Sequence, residues 1–95
     1  MNTKIDSRKK FYDWEKILKG AANHRRLEVL FLISKHKDLS TENLVEMLDI
    51  NYQTGAHHIQ KLVRSGLVVT RRQSANLLHD ISPYGQSIIN LLINL

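Results

Sequence analysis

Apolar positions recur along most of this chain with the period of an α-helix. Phe11, Trp14 and Leu18 fall at helical spacing with Ile17 beside them, while Asp13, Glu15, Lys16 and Lys19 face outward, which predicts a first helix over residues 11–19. In "NHRRLEVLFLISKHK" Asn23 is the expected N-cap. Leu27, Leu30, Phe31 and Ser34 form one stripe there, widened by Val29 and Ile33. So apolar a helix belongs at the centre of a core. "DLSTENLVEMLDI" predicts a third helix, with Ser40 as its N-cap and Leu44, Val45 and Leu48 inward. Glu42 lies in its first turn, where the helix dipole favours an anion.

A gap of about four residues, "DINY", leads to a fourth helix that Asn51 can cap and Gly66 can end in the left-handed conformation. Two amphipathic helices joined by so short a turn, the second rich in polar residues, form a helix-turn-helix pattern. After Gly66 the period changes to that of strands. "LVVTRRQ" and "LLHDIS", joined by "SAN", predict a two-stranded hairpin, and Ser82 then caps a last helix with Pro83 at its first position. The expected class is mainly α (α+β): four helices, a β-hairpin over residues 67–82 and a C-terminal helix, without internal repeats.

Composition narrows the function. Ninety-five residues with 42% hydrophobic content suit one compact domain with a modest core. Residues 11–95 are expected to form it, preceded by a basic arm, residues 1–10, with Lys4, Arg8, Lys9 and Lys10. With no cysteine, disulfides, zinc knuckles and thiol catalysis are excluded. No stretch resembles a signal peptide or a membrane span, so a soluble cytoplasmic protein that does not enter a membrane is expected. The net charge of +5 points to a polyanionic partner, and the place of the charges decides whether that holds.

Two of them, Lys61 and Arg64, fall on the fourth helix. At about 100° per residue, Tyr52, Ala56, Ile59 and Val63 share the side expected to anchor it, with Leu62 flanking them. The opposite side carries Thr54, His57, Lys61 and Arg64, with Gln53, His58 and Ser65 at its margins and no carboxylate. Such a face suits a DNA major groove, where Gln, Thr and His meet base edges while Lys and Arg meet phosphates. Gly55 costs about 1 kcal/mol of helix propensity relative to Ala; its missing side chain lets backbone approach either the third helix or DNA, and helix–helix packing is the favoured reading.

The adjacent His57 and His58 open two rival readings, a metal site and a catalytic one. Neighbours on a helix diverge by about 100°, whereas helical metal pairs use i, i+4 spacing, and positions 61 and 62 are Lys and Leu. No strained nucleophile turn accompanies them. His24 and His36 are scattered, and His79 lies on a strand between Leu77 and Ile81, as a packed histidine at the core edge. No catalytic residue, metal ligand or cofactor is expected, and the chain is not expected to be an enzyme.

In "PYGQSIINLLINL", Tyr84, Ile88, Leu91, Leu92 and Leu95 cover one side, and Ile89 and Ile93 widen the apolar arc to about half the circumference. One small domain needs a narrower arc. The excess predicts a two-fold contact with a second copy through Ile88, Leu91, Leu92 and Leu95, joined by Phe11, Trp14 and Leu18.

Three stretches, "ANHRRLEVLFLI", "TENLVEMLDINYQTGAHHIQKLVRSGLV" and "ISPYGQSII", resemble winged-helix transcriptional regulators of the ArsR/SmtB type, which are related to archaeal and MarR-like repressors. The resemblance runs from about Ile17 to the C-terminus and is strongest in "HHIQKLVRSGLV". It implies a winged helix-turn-helix dimer on operator DNA, with the helix over residues 51–65 in the major groove and the hairpin as wing. Gln53, Thr54, His57, His58 and Lys61 would face the groove, and Arg71 and Arg72 would be wing contacts. Metal-sensing members carry cysteines on the third helix, or His and carboxylates on the last; this chain has neither set. No effector follows from the sequence.

The expectation is a homodimeric repressor that reads a pseudo-palindromic site in double-stranded DNA through Gln53, Thr54, His57, His58, Lys61, Arg64, Arg71 and Arg72. Its binding should weaken with salt and strengthen modestly as pH falls through about 6.5, where a histidine near phosphate gains charge. The alternative is a winged-helix module that uses the same face for a protein partner; the lack of a large apolar residue there disfavours it.

Overall fold

The computed structural model describes residues 8–95; Lys4 of the expected basic arm lies outside them. Five helices and three short strands follow in the order α1 (Arg8–Ala21), α2 (His24–Lys35), β1 (Leu39–Ser40), α3 (Thr41–Leu48), α4 (Tyr52–Arg64), β2 (Val68–Gln73), β3 (Asn76–Ile81) and α5 (Pro83–Ile93). Arg8 and Lys10, assigned to the arm from sequence, lie in the first turn of α1.

Local chemistry sets the helix starts. The side chains of Asn23, Ser40, Asn51 and Ser82 each accept the backbone N–H three residues on, from Arg26, Asn43, Thr54 and Gly85. Each satisfies a donor that the first helical turn leaves free. Pro83 opens α5, and Gly66 follows α4 at φ +78°.

Val29, Leu30 and Ile33 of α2 lie at the centre of the core, packed with Leu44, Ile59, Leu62, Leu67, Val68 and Ile89. The sheet has three strands rather than the two of the expected hairpin, in the order β1-β3-β2, all antiparallel. β1 escapes a period-2 reading because it is two residues long and runs straight into the cap of α3. Leu39 pairs with His79 and Ser40 with Leu78, while β2 and β3 pair from Val68–Ile81 out to Gln73–Asn76. The sheet thus fastens the base of the hairpin to the start of the helix-turn-helix.

α3 and α4 are joined by Asp49, Ile50 and Asn51, with Asp49 left-handed at φ 53°. A side chain at Gly55 would run into Val45 of α3, so this glycine serves the helix–helix contact. The contact also turns α4. Its buried line is Gly55, Ile59 and Leu62, while Tyr52 and Val63 remain 48% and 38% exposed. The anchoring side is therefore rotated by about 60° from the one expected, at about 100° per residue. Tyr52, Ala56 and Val63 border a groove against the hairpin instead of entering the core.

Candidate nucleic-acid interface

The rotation moves the outer side of α4 with it. Gln53, His57, Gln60 and Arg64 now lie at the middle of the exposed arc, with Thr54 and Lys61 along one edge, and all six are exposed. No carboxylate occurs on this helix. Among the described residues none of these six side chains is engaged in a hydrogen bond or an ion pair, so their donors are left for a partner. Gln60 did not figure among the expected contacts. Its spacing from His57 (i+3) and to Arg64 (i+4) carried the signal, which an anchor line drawn through Tyr52 and Val63 displaced.

His58 is placed differently from His57. One position along the helix, it falls toward the buried side, half-covered, and its Nδ1 is buried without a partner. Burial pushes its imidazole below the ordinary histidine value, and the charges of Arg26, His57 and Arg25 push the same way. The two rings lie 6.2 Å apart and tilted. His57 looks out to solvent, whereas His58 looks toward α2.

The two wing arginines also part company. Strand alternation puts Arg72 on the side of β2 that holds Val68 and Thr70, toward the groove against α4, and it is exposed. Arg71 points the other way. Its guanidinium pairs with Asp38 in the turn before β1 and reaches Asp80 of β3 at 3.4 Å. Asp80 also accepts the backbone N–H of Asp38 at 3.0 Å. Two carboxylates offset the charge of Arg71, which ties the wing to the chain ahead of β1.

Between α4 and the hairpin runs a groove of about 590 Å³, bordered by Tyr52, Ala56, Val63, Thr70, Leu77 and His79. His79 is buried at its floor, 1% exposed, and bonded on both ring nitrogens: Nε2 to the Thr41 hydroxyl at 2.7 Å, Nδ1 to the Thr70 hydroxyl at 2.8 Å. It is the core-edge histidine expected, with a polar role that its apolar strand neighbours hid.

Away from this face, α1 exposes Phe11, Trp14 and Leu18, the first two in an edge-to-face contact at 5.4 Å. α5 exposes Leu91, Leu92 and Ile93, with Leu95 just beyond it, and Ile88 is half-buried. Beside them, α2 and α5 frame an apolar hollow of about 350 Å³ with Leu27, Phe31, Ile89 and Leu92 in its wall. Among the described residues no helix is long and apolar enough to cross a membrane.

No family model matches the chain. Over 66 residues it is 32% identical to the transcriptional activator HlyU of Vibrio cholerae serotype O1; the alignment covers 70% of this chain and 60% of that protein, less than two thirds of the relative's length. In structure, HlyU from Vibrio cholerae N16961 superposes with a TM-score of 0.81 at 29% identity, over 90% of this chain and 94% of that one. The transcriptional repressor PagR of Bacillus anthracis superposes at 0.80 with 26% identity, over 90% and 99% of the two chains. The winged helix-turn-helix DNA-binding domain of Mb0332 from Mycobacterium bovis, at 23% identity, shares the fold with a TM-score of 0.80 over 99% and 87%.

The α3–α4 pair, the hairpin that follows it and these superpositions define a winged helix-turn-helix protein. The chain is thus similar in sequence and in fold to regulators of transcription, HlyU and PagR among them.

Proposed function

We propose that this chain is a homodimeric regulator of transcription that binds double-stranded DNA sequence-specifically and represses the promoter it occupies. One observation carries the reading: the middle of α4 presents Gln53, His57, Gln60 and Arg64, exposed, free of carboxylates and unengaged among the described residues, beside a hairpin that holds Arg72. A major groove about 12 Å wide admits such a helix, with Gln, His and Thr meeting base edges and Lys61, Arg64 and Arg72 meeting phosphates. Arg71 contributes by holding the wing, and His58 stays half-covered at the margin of the face.

The apolar side chains left open on α1 and α5 support self-association, with the helices and the wing together as the binding and pairing unit. A two-fold pair presents α4 twice, to half-sites about 34–36 Å apart. HlyU is named an activator and PagR a repressor; the same docking serves either sign, and the position of the site relative to the promoter sets it. The protein works in the cytoplasm, where its DNA is, and needs no metal, cofactor or catalytic residue.

Electrophoretic mobility and footprinting on the chain's own upstream region test the reading, with a reporter for the sign of regulation. Protection of a pseudo-palindrome is expected. No retardation of any duplex at low salt would overturn it.

A further inference from the structure

α4 is bordered on one side by the wing. On the other side α1 crosses close to its last turn, and the contact has a specific cause. A side chain at Gly20 would occupy the place of the Ser65 hydroxyl, which donates to the Lys61 carbonyl at 2.9 Å. Gly20 therefore lets the end of α1 close onto the end of α4. A cleft of about 580 Å³ forms between them, and Lys16, Lys61 and Arg64 project into its wall.

Its charges sort into engaged and free. Arg26 donates to the carbonyls of Gly20 at 2.7 Å and Lys19 at 3.4 Å, so it closes the C-terminus of α1. Lys19 pairs with Glu15 at 3.0 Å. Asp13 is the remaining carboxylate in the wall, against Lys16, Lys61 and Arg64, none of which has a carboxylate partner among the described residues. Phe11, Trp14 and Leu18 lie on nearly the opposite side of α1 from Lys16, at about 100° per residue. The cleft thus stays open when the apolar side of α1 is covered by a second copy.

We propose that the α1–α4 cleft seats a backbone phosphate of the bound duplex, held by Lys16 of α1 together with Lys61 and Arg64 of α4. This rests on the DNA-binding reading and extends it. A helix in the major groove has a phosphate backbone along each edge; the wing meets one, and the cleft meets the other. Lys16, invisible as a contact from its place in the first helix, becomes a DNA residue because Gly20 brings that helix to α4.

The test compares wild type, Lys16→Ala and Lys16→Arg on the footprinted duplex from 50 to 200 mM salt. Lys16 is exposed, and thermal melts of the variants establish that folding is intact. Each lost phosphate contact lowers the slope of log K against log salt by roughly 0.9, so Lys16→Ala should lower it by about 2 for a dimer, and Lys16→Arg should restore it. Methylphosphonate replaced one position at a time along the flank locates the phosphate: at one position the loss should be non-additive with Lys16→Ala.

Wild type that retards no duplex would sink the DNA-binding reading itself. Wild type that binds, with Lys16→Ala unchanged in slope and additive at every position, overturns this inference alone. Saturable binding of inorganic pyrophosphate that Lys16→Ala abolishes, without a change in the DNA slope, would give the cleft to a small phosphorylated ligand and likewise overturn it.

Discussion

Thr41 and His79, 38 positions apart in the chain, share a buried hydrogen bond of 2.7 Å. Thr41 is the first residue of α3 and His79 the middle of β3, and the other nitrogen of the same ring bonds Thr70 of β2 at 2.8 Å. A neutral imidazole has one N–H donor and one acceptor, so the two hydroxyls satisfy both, one donating and one accepting. The start of the helix-turn-helix and both wing strands are thereby held by one ring. His79→Ala leaves the two hydroxyls without that partner and opens a cavity, and should cost about 2–4 kcal/mol in urea denaturation.

The same ring predicts a pH dependence. Burial pushes His79 below the ordinary histidine value, against the opposing pull of Asp80 and Glu42. In the window between the lowered folded value and the unfolded value of about 6.5, the unfolded chain binds the extra proton, so stability rises with pH there. The contribution is complete above about 6.5 and is lost as pH falls below it. Urea midpoints at pH 7.5 and 5.5 should differ in wild type and differ less in His79→Gln. A remainder is expected from His58, whose value is displaced in the same direction.

Gly55 makes a third prediction. Alanine there would gain about 1 kcal/mol of helix propensity and valine less, but either side chain enters the space of Val45. Overpacking a helix–helix contact typically costs 1–3 kcal/mol. Gly55→Val should therefore lower the thermal midpoint, and Val45→Ala in the same chain should recover part of the loss. A double-mutant cycle reads the coupling directly; additive losses would show that the two residues do not meet.

These residues also show what sequence could and could not reveal. Asn23, Ser40, Asn51 and Ser82 announce their helices because a cap is a local bond, made within three residues of itself. The hairpin was equally readable from its period. The orientation of α4 was not, because Ala, Val and Tyr are compatible with either a core or a groove edge, and the contact at Gly55 decided between them. The separation of Arg71 from Arg72 depended on Asp38, which lies 33 positions earlier and reaches the wing only in the folded chain. His58 and Gln60 exchanged places for the same reason as α4 turned. What stayed hidden was tertiary: which side of an element meets a distant one.

For DNA binding, the two wing arginines should separate. Arg72→Ala removes an exposed cation, unengaged among the described residues, on the α4 side of the wing and should lower the salt slope by roughly 0.9 per subunit. Arg71→Ala removes a charge already offset by Asp38 and Asp80 and should leave the slope nearly unchanged. Equal slope losses for both would mean that Arg71 leaves its carboxylates when DNA binds. Gln60→Ala should instead weaken the operator by about 1–3 kcal/mol with little effect on unrelated duplex, as expected of a base contact.

Self-association gives the last prediction. Leu91 is 60% exposed and Leu18 59%, on helices that meet the core through Ile89 and Ile17. Their apolar side chains gain roughly 25 cal/mol for each Å² removed from water, so a charge placed among them opposes pairing while leaving the subunit's own core, built on Leu30, Leu44 and Leu62, intact. Leu91→Glu with Leu18→Glu should convert the proposed dimer to a folded monomer, read by light scattering beside circular dichroism. The monomer should still bind a single half-site weakly at low salt, because α4 and the wing are untouched, but should lose the operator's two-site footprint. A double variant that remains dimeric would move the two-fold contact elsewhere on the molecule.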